Sequence, residues 1–286
     1  MKTYSIKDRQ FTFIVSFFII SLILRFFDSF LIRSDQSIIG ELIFHKLAGI
    51  ILLGFALYIL NLKWSTIGFH NDRLQKNIIT GLVLCLSVYI VAYYAEYIIE
   101  TMNGNNPYFQ FYVSSYNILG NTLLSNGFIF IIICIIGNII NVVMEEGVFR
   151  GLFVRLAEEK YSFIKSALIS SFLFGIWHIV MPLRNFIDGE QSLLGMVINI
   201  VLLVTTTSLF GFIMCLLFKV TGSIWAGMAV HFVNNASINL IHIITVNGAD
   251  ELLTLRITIA QTILSIIVLC LFIINQKRIK KCQTCT

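Results

Sequence analysis

Long apolar runs separated by short polar breaks set the plan of this chain. Runs near the roughly 20 residues needed to span a bilayer can be drawn at 11–32, 42–62, 77–99, 127–153, 165–181, 193–218, 223–245 and 253–275. They predict about eight transmembrane helices in an all-α, polytopic membrane protein, a single integral-membrane domain over 1–286. No internal repeat and no low-complexity segment interrupts the series. Composition agrees: 57% of the 286 residues are hydrophobic and only 12% charged, far from the roughly 25% charged residues of a soluble domain.

Orientation follows from the basic residues, which collect in cytoplasmic loops. Fourteen of the twenty fall on one side if the spans alternate: Lys2, Lys7, Arg9, Lys63, Arg73, Lys76, Arg155, Lys160, Lys165, Lys219, Lys277, Arg278, Lys280 and Lys281. The other side holds Arg33, Lys46, Arg184 and Arg256, and Arg25 and Arg150 lie within spans. Both termini of a cell-membrane protein are therefore expected in the cytoplasm, and the basic tail needs no nucleic acid to explain it. The run after Lys2–Arg9 is too long for a signal peptide and lacks a small-x-small cleavage site, so a retained first helix is expected. The stretch from Glu100 to Asn126 has no Lys or Arg and belongs outside, with Tyr108, Phe109, Phe111, Tyr112 and Tyr116 suited to the headgroup region. The segment from Trp64 to Lys76 reads as an ordinary connection. Cys85, Cys134, Cys215 and Cys270 fall in apolar spans, where cysteine acts as a small hydrophobe; the tail pair Cys282 and Cys285 lacks the further ligands of a zinc site.

Chemistry concentrates in Ile139–Gly151, where Glu145 and Glu146 stand side by side in an apolar span. Each costs about 2.5 kcal/mol or more at a membrane-helix centre, which makes it a functional-site candidate in need of a partner. Arg150 follows Glu146 by four residues, the spacing at which an acid and a base share a helix face. Glu145 points well around the helix from Arg150 and must be compensated elsewhere or take up a proton. Gly147 and Gly151 offer a small-x-x-x-small spacing for close approach. The pair Glu158 and Glu159, among basic residues, reads as a solvated turn. Arg25 and Asp28, three residues apart, are spaced to pair with each other inside the membrane.

Two histidines lie in similarly apolar surroundings, His178 in the fifth span and His231 in the seventh, with Asn235 one turn beyond His231 on the same face. At 1.5 Å per residue, Glu145 is about 15 Å above Arg155, His178 about 18 Å above Ser166 and His231 about 13 Å above Gly222. Three non-adjacent spans thus offer a carboxylate, two imidazoles and an amide at one depth, in the half of the bilayer nearer the cytoplasm. Such a set can deprotonate water and stabilise an oxyanion. Equally, Glu145, His178 and His231 could hold a divalent metal such as zinc that acidifies its bound water. His242 reads as core or cavity lining, and His45 and His70 carry no assignment.

Glu145-Glu-Gly-Val-Phe-Arg150, Phe174-Gly-Ile-Trp-His178 and His231-Phe-Val-Asn-Asn235 resemble, in order and on separate spans, the E-E-x-x-x-R, F-x-x-x-H and H-x-x-x-N elements of the CAAX protease and bacteriocin-processing (CPBP, or Abi) family of intramembrane proteases. The likeness covers a core at 128–244. It implies an eight-helix endopeptidase with its active site inside the bundle, related to the enzymes that remove the last three residues of prenylated proteins. By position, Glu145 is implied as general base, His178 as a helper in activating water, and His231 with Asn235 as the oxyanion site. Glu146 and Arg150 are implied as support. In that family water activation is described both as metal-free and as metal-dependent, so the cofactor stays open, as does the oligomeric state. Prenylated substrates do not carry over; the implied roles are peptide maturation, signal-peptide or bacteriocin processing, or self-immunity. The rival readings are a non-enzymatic membrane regulator or immunity protein that uses the polar cluster as glue between helices, and a small transporter, against which stands the lack of symmetry between the two halves.

Overall fold

The computed structural model describes residues 6–37, 41–114 and 127–284. Its helices are α1 (Ile6–Phe27), α2 (Phe44–Ile59), α3 (Leu74–Met102), α4 (Phe128–Glu145), α5 (Val154–Glu158), α6 (Phe163–Trp177), α7 (Val180–Ile187), α8 (Leu193–Thr221), α9 (Ile224–Leu240) and α10 (Leu253–Thr284). A π-helical segment, Glu146–Phe153, joins α4 to α5 without a break, and α7 continues α6 beyond a turn at His178. The described residues thus form eight rods, matching the eight apolar runs.

Among the described residues six stretches are long and apolar enough to cross a membrane: Gln10–Gln36, Leu74–Met102, Phe128–Ala157, Phe163–Ile187, Leu193–Thr221 and Leu253–Lys281. The remaining two rods, α2 with 16 residues and α9 with 17, reach only about 24–26 Å. α9 packs against α3, α4 and α8, and α2 against α1 and α4. Because lipid is as apolar as a leucine side chain, rods in a membrane associate by close packing at small residues. Gly81 on α3 abuts the Ala226 carbonyl and the Ala229 methyl of α9, and Gly175 on α6 abuts the Val204 carbonyl of α8.

The first turns of α1, the α5–α6 turn and the second half of α10 gather at one end of the bundle, where Phe11 meets Tyr161 and Phe163 meets Phe272. Glu158 and Glu159 sit there as a solvated turn should, paired with Lys219 and Arg155. At the opposite end Arg33 binds Asp188 at 2.7 Å and Arg184 binds Asp35 at 2.8 Å. The Arg33 guanidinium holds the Asp188 carboxyl below the usual aspartate pKa.

Two connections depart from expectation. After Leu240 the seventh run leaves the helix, because Ile241-His-Ile-Ile is rich in β-branched residues; it forms strand β2 (Ile241–Ile244), antiparallel to β1 (Tyr108–Phe111). Tyr108, Phe109 and Phe111 are exposed, but Tyr112 is buried with its ring stacked 3.7 Å from that of His242. Tyr112 is thus part of a seal and not a headgroup anchor; Tyr116 lies outside the described residues. His242, fully buried, donates from Nδ1 to Asp250, and Arg256 links Asp250 to Glu96 at 2.9 and 3.1 Å. The segment from Trp64 to Lys76 is also more than a connection. Ile67 is fully buried, its carbonyl lies where a side chain at Gly151 would have to go, and the Trp225 indole donates to the His70 carbonyl at 2.9 Å. The small-x-x-x-small spacing therefore admits this turn, with Leu53 of α2 against Gly147. Cys85, Cys134 and Cys215 are buried and unbridged. Cys285 and the side chain of Cys282 lie outside the described residues.

Candidate active site

The two glutamates occupy the junction at which α4 widens into the π segment, a distortion often found at functional sites. Glu145 is the last α-helical residue and Glu146 the first π-helical one. Both are buried, at 4% and 1% exposure. The widened turn keeps Glu146 beside Arg150, with Nε 3.3 Å from Oε2 and both side chains 1% exposed. It is an ion pair and not a directed hydrogen bond, since the guanidinium nitrogens find no hydrogen-bond acceptor among the described residues. The Arg150 guanidinium instead lies 3.9 Å above the Phe174 ring, a cation–π contact suited to a desolvated arginine. On α6, Ser170 takes up the Phe149 carbonyl of the π segment.

His231 on α9 bridges the two acids. Its Nδ1–H donates to Glu146 Oε1 at 2.8 Å, and Nε2 lies 3.7 Å from Glu145 Oε2. The first contact fixes the ring and dedicates Nε2 to Glu145. The second is too long for a direct hydrogen bond and places both atoms around one small gap. Glu145 Oε1 is occupied differently, accepting the Trp177 indole N–H at 3.2 Å. Glu146 is thus paired with Arg150, and Glu145 meets Trp177 and His231.

His178 caps the C-terminal end of α6 and donates from Nδ1 to the Phe174 carbonyl at 2.8 Å. That leaves Nε2 as a lone pair. Asn235 is half-buried and accepts at Oδ1 from the Asn234 amide at 3.2 Å, while its own amide nitrogen makes no hydrogen bond among the described residues. Asn234 is held by the Tyr89 hydroxyl of α3 at 2.9 Å and by Gln261 of α10 at 3.3 Å. As for a metal, no group of three or more His, Cys, Asp or Glu is arranged to hold one among the described residues. Of the three ligands considered from the sequence, only Glu145 and His231 face each other across a short gap.

Several contributors escape a motif-based reading. Gly227 on α9 leaves room for Glu146, whose Oε2 would be 3.4 Å from an added Cβ, and Gly211 on α8 leaves room for Arg150 Nη2, at 3.3 Å. Gly227 is one turn before His231, a spacing that marks the same face; Gly211 carries no such signal. Trp177 sits next to His178 yet reads as an ordinary buried aromatic. The Arg25–Asp28 pairing is not what forms. Asp28 Oδ2 accepts from the backbone N–H of His45 and from its Nδ1, at 2.9 and 2.8 Å, and Oδ1 accepts from Ser34 at 2.7 Å. Arg25 lies over the Trp177 ring, 4.8 Å from its centroid. His45, to which the sequence assigned nothing, is buried and 5.5 Å from the same ring. The α-helix runs unbroken to Phe27, so the spacing holds, but the Asp28 oxygens are already taken by His45 and Ser34.

No curated protein matches the chain. Residues 127–237, which contain α4, the π segment and α5 to most of α9, match the family model described as type II CAAX prenyl endopeptidase Rce1-like. All three motifs fall within that stretch, as does the geometry above apart from Arg25, Asp28, Ser34, His45, Tyr89 and Gln261, and over it the chain is similar to the CPBP (Abi) family of intramembrane proteases.

Proposed function

We propose that this protein is an endopeptidase that hydrolyses a peptide bond inside its helix bundle, with Glu145 as general base. The observation that carries the reading is the division of the Glu145 carboxylate: Oε1 is committed to Trp177, and Oε2 opens on the gap it shares with His231 Nε2. A water in that gap gives its proton to Glu145 as its oxygen attacks the peptide carbonyl. His231 and the free amide of Asn235 bind the oxyanion, and the lone pair of His178 Nε2 orients the water. When the C–N bond breaks, Glu145 returns the proton to the leaving amine. Glu146 and Arg150 hold His231 in place.

In this reading the substrate is a peptide or a membrane-protein segment that enters from the lipid bilayer and is cut in the half nearer the cytoplasm, with both termini on that side. Peptide maturation, signal-peptide or bacteriocin processing, and self-immunity are the matching roles. Were a divalent metal such as zinc to take part, Glu145, His178 and His231 are the residues that would hold it, and it would supply acidified water.

The test compares, by mass spectrometry, the membrane and secreted peptides of cells making the wild type with those of cells making Glu145→Gln at equal abundance. New termini confined to the wild type support proteolysis and identify a substrate. Profiles that do not differ, where the protein has a phenotype, refute it in favour of a binding role. Loss of cleavage on chelation, restored by zinc, would assign a metal to the reaction, and cleavage that persists under chelation would assign water activation to Glu145 alone.

A further inference from the structure

Arg25 reaches the site from outside the matched segment. It is 8% exposed, and its Nε and Nη1 make no hydrogen bond among the described residues. A buried guanidinium left without acceptors is costly, and Asp28, the nearest acid in sequence, has its oxygens filled by His45 and Ser34. What the guanidinium meets is the face of Trp177, 4.8 Å from Cζ to ring centroid. The indole is 1% exposed and is walled by Phe149 at 5.9 Å and by His45 at 5.5 Å.

An indole has one hydrogen-bond donor, and here it is spent on Glu145 Oε1. A cation over the ring face draws electron density from the indole, which strengthens the N–H as a donor and resists rotation of the ring. We infer that Arg25 is a positioning residue for the cleavage reaction: it clamps Trp177 so that the indole N–H occupies Oε1 of Glu145 and leaves Oε2 to the water. The first helix of the chain is thereby coupled to chemistry carried by α4, α6 and α9. The inference rests on the reading of Glu145 as the base.

The test uses the full-length protein in detergent with Trp64→Phe and Trp225→Phe, which leaves Trp177 as the sole tryptophan of three. Ultraviolet resonance Raman spectroscopy then reports the hydrogen-bonded state of one indole N–H. Arg25→Met, which swaps a buried cation for an apolar side chain that fills the site, is expected to move the band to that of an unbonded indole. Arg25→Lys, which keeps the cation, is expected to leave it in place. On the peptide identified with the wild type, Arg25→Met should lower kcat about ten-fold with KM unchanged, the scale of one hydrogen bond, and should have no further effect in a Trp177→Phe background. A band that does not move in Arg25→Met overturns the clamp whether or not the protein cleaves anything. A shifted band with unchanged kcat overturns its part in turnover. If the wild type cleaves nothing, the endopeptidase reading falls and the role in cleavage falls with it, while the band still shows whether the clamp exists.

Discussion

The Glu146–Arg150 pair provides the sharpest test of how this site is held. Both side chains are 1% exposed and their charges lie 3.3 Å apart. Removing one member of a buried pair strands the other, a loss of about 3–5 kcal/mol, whereas replacing both by apolar or neutral groups of similar size is close to neutral. Glu146→Gln leaves a guanidinium with only the Phe174 face for compensation, and Arg150→Met leaves a carboxylate with only His231. Each single variant should therefore lose about 3 kcal/mol, roughly a hundred-fold in the folded-to-unfolded ratio. The double variant should recover at least half of either loss, because no orphan charge remains. Denaturant unfolding of the purified proteins in one detergent, followed by far-ultraviolet circular dichroism, measures all four corners of the cycle. Losses that simply add in the double variant would refute the view that the two residues act as one buried unit.

Two further outcomes follow from packing and charge elsewhere. Gly175→Ala places a methyl 2.6 Å from the Val204 carbonyl, a backbone atom that cannot swing aside, whereas Gly54→Ala meets only Trp64 at 3.7 Å; the first should lose about 1–3 kcal/mol in the same unfolding assay and the second almost nothing. Asp188, held below the usual aspartate pKa by Arg33, should stabilise the protein relative to Asp188→Asn by an amount constant above about pH 5 and lost as pH falls below about 4. Arginine stays charged throughout that range, so an advantage that already fades between pH 7 and 5 would contradict the assignment.

The eight rods are legible because each must be apolar along nearly its whole length, a constraint strong enough to survive local irregularity. The motif residues are legible for a related reason. A charge or imidazole in such a run is expensive, so Glu145, Glu146, His178 and His231 announce themselves, and a rise of 1.5 Å per residue brings them near one level. What the residue pattern conceals is everything that depends on departures from the ideal helix. His45 and Ser34, from other segments, take the Asp28 oxygens and leave Arg25 to Trp177, and β2 ends the seventh span in four β-branched-rich residues, too few to stand out in a hydropathy window. Gly211 and Gly227 act by what they lack, and an absent side chain carries no chemical signal.

The proposed mechanism gives adjacent residues opposite parts, and one imidazole is what tells them apart. Glu145 and Glu146 follow one another in sequence and differ little in burial, so neither composition nor depth distinguishes an anchor from a base. His231 does: its Nδ1–H is given to Glu146 at 2.8 Å, and only Nε2 is left to face Glu145, at 3.7 Å. If Glu146 is the anchor, Glu146→Gln still offers His231 an amide oxygen as acceptor, and part of the cleavage activity should survive in the fraction that folds. Glu145→Gln has no such fallback, since an amide cannot take the proton from water, and should fold as the wild type does while cleaving nothing. Cleavage rates normalised to folded protein, measured on the peptide that the wild type defines, separate the two. Equal and complete loss in both variants would show that the two acids act together, and the assignment of one anchor and one base would fail.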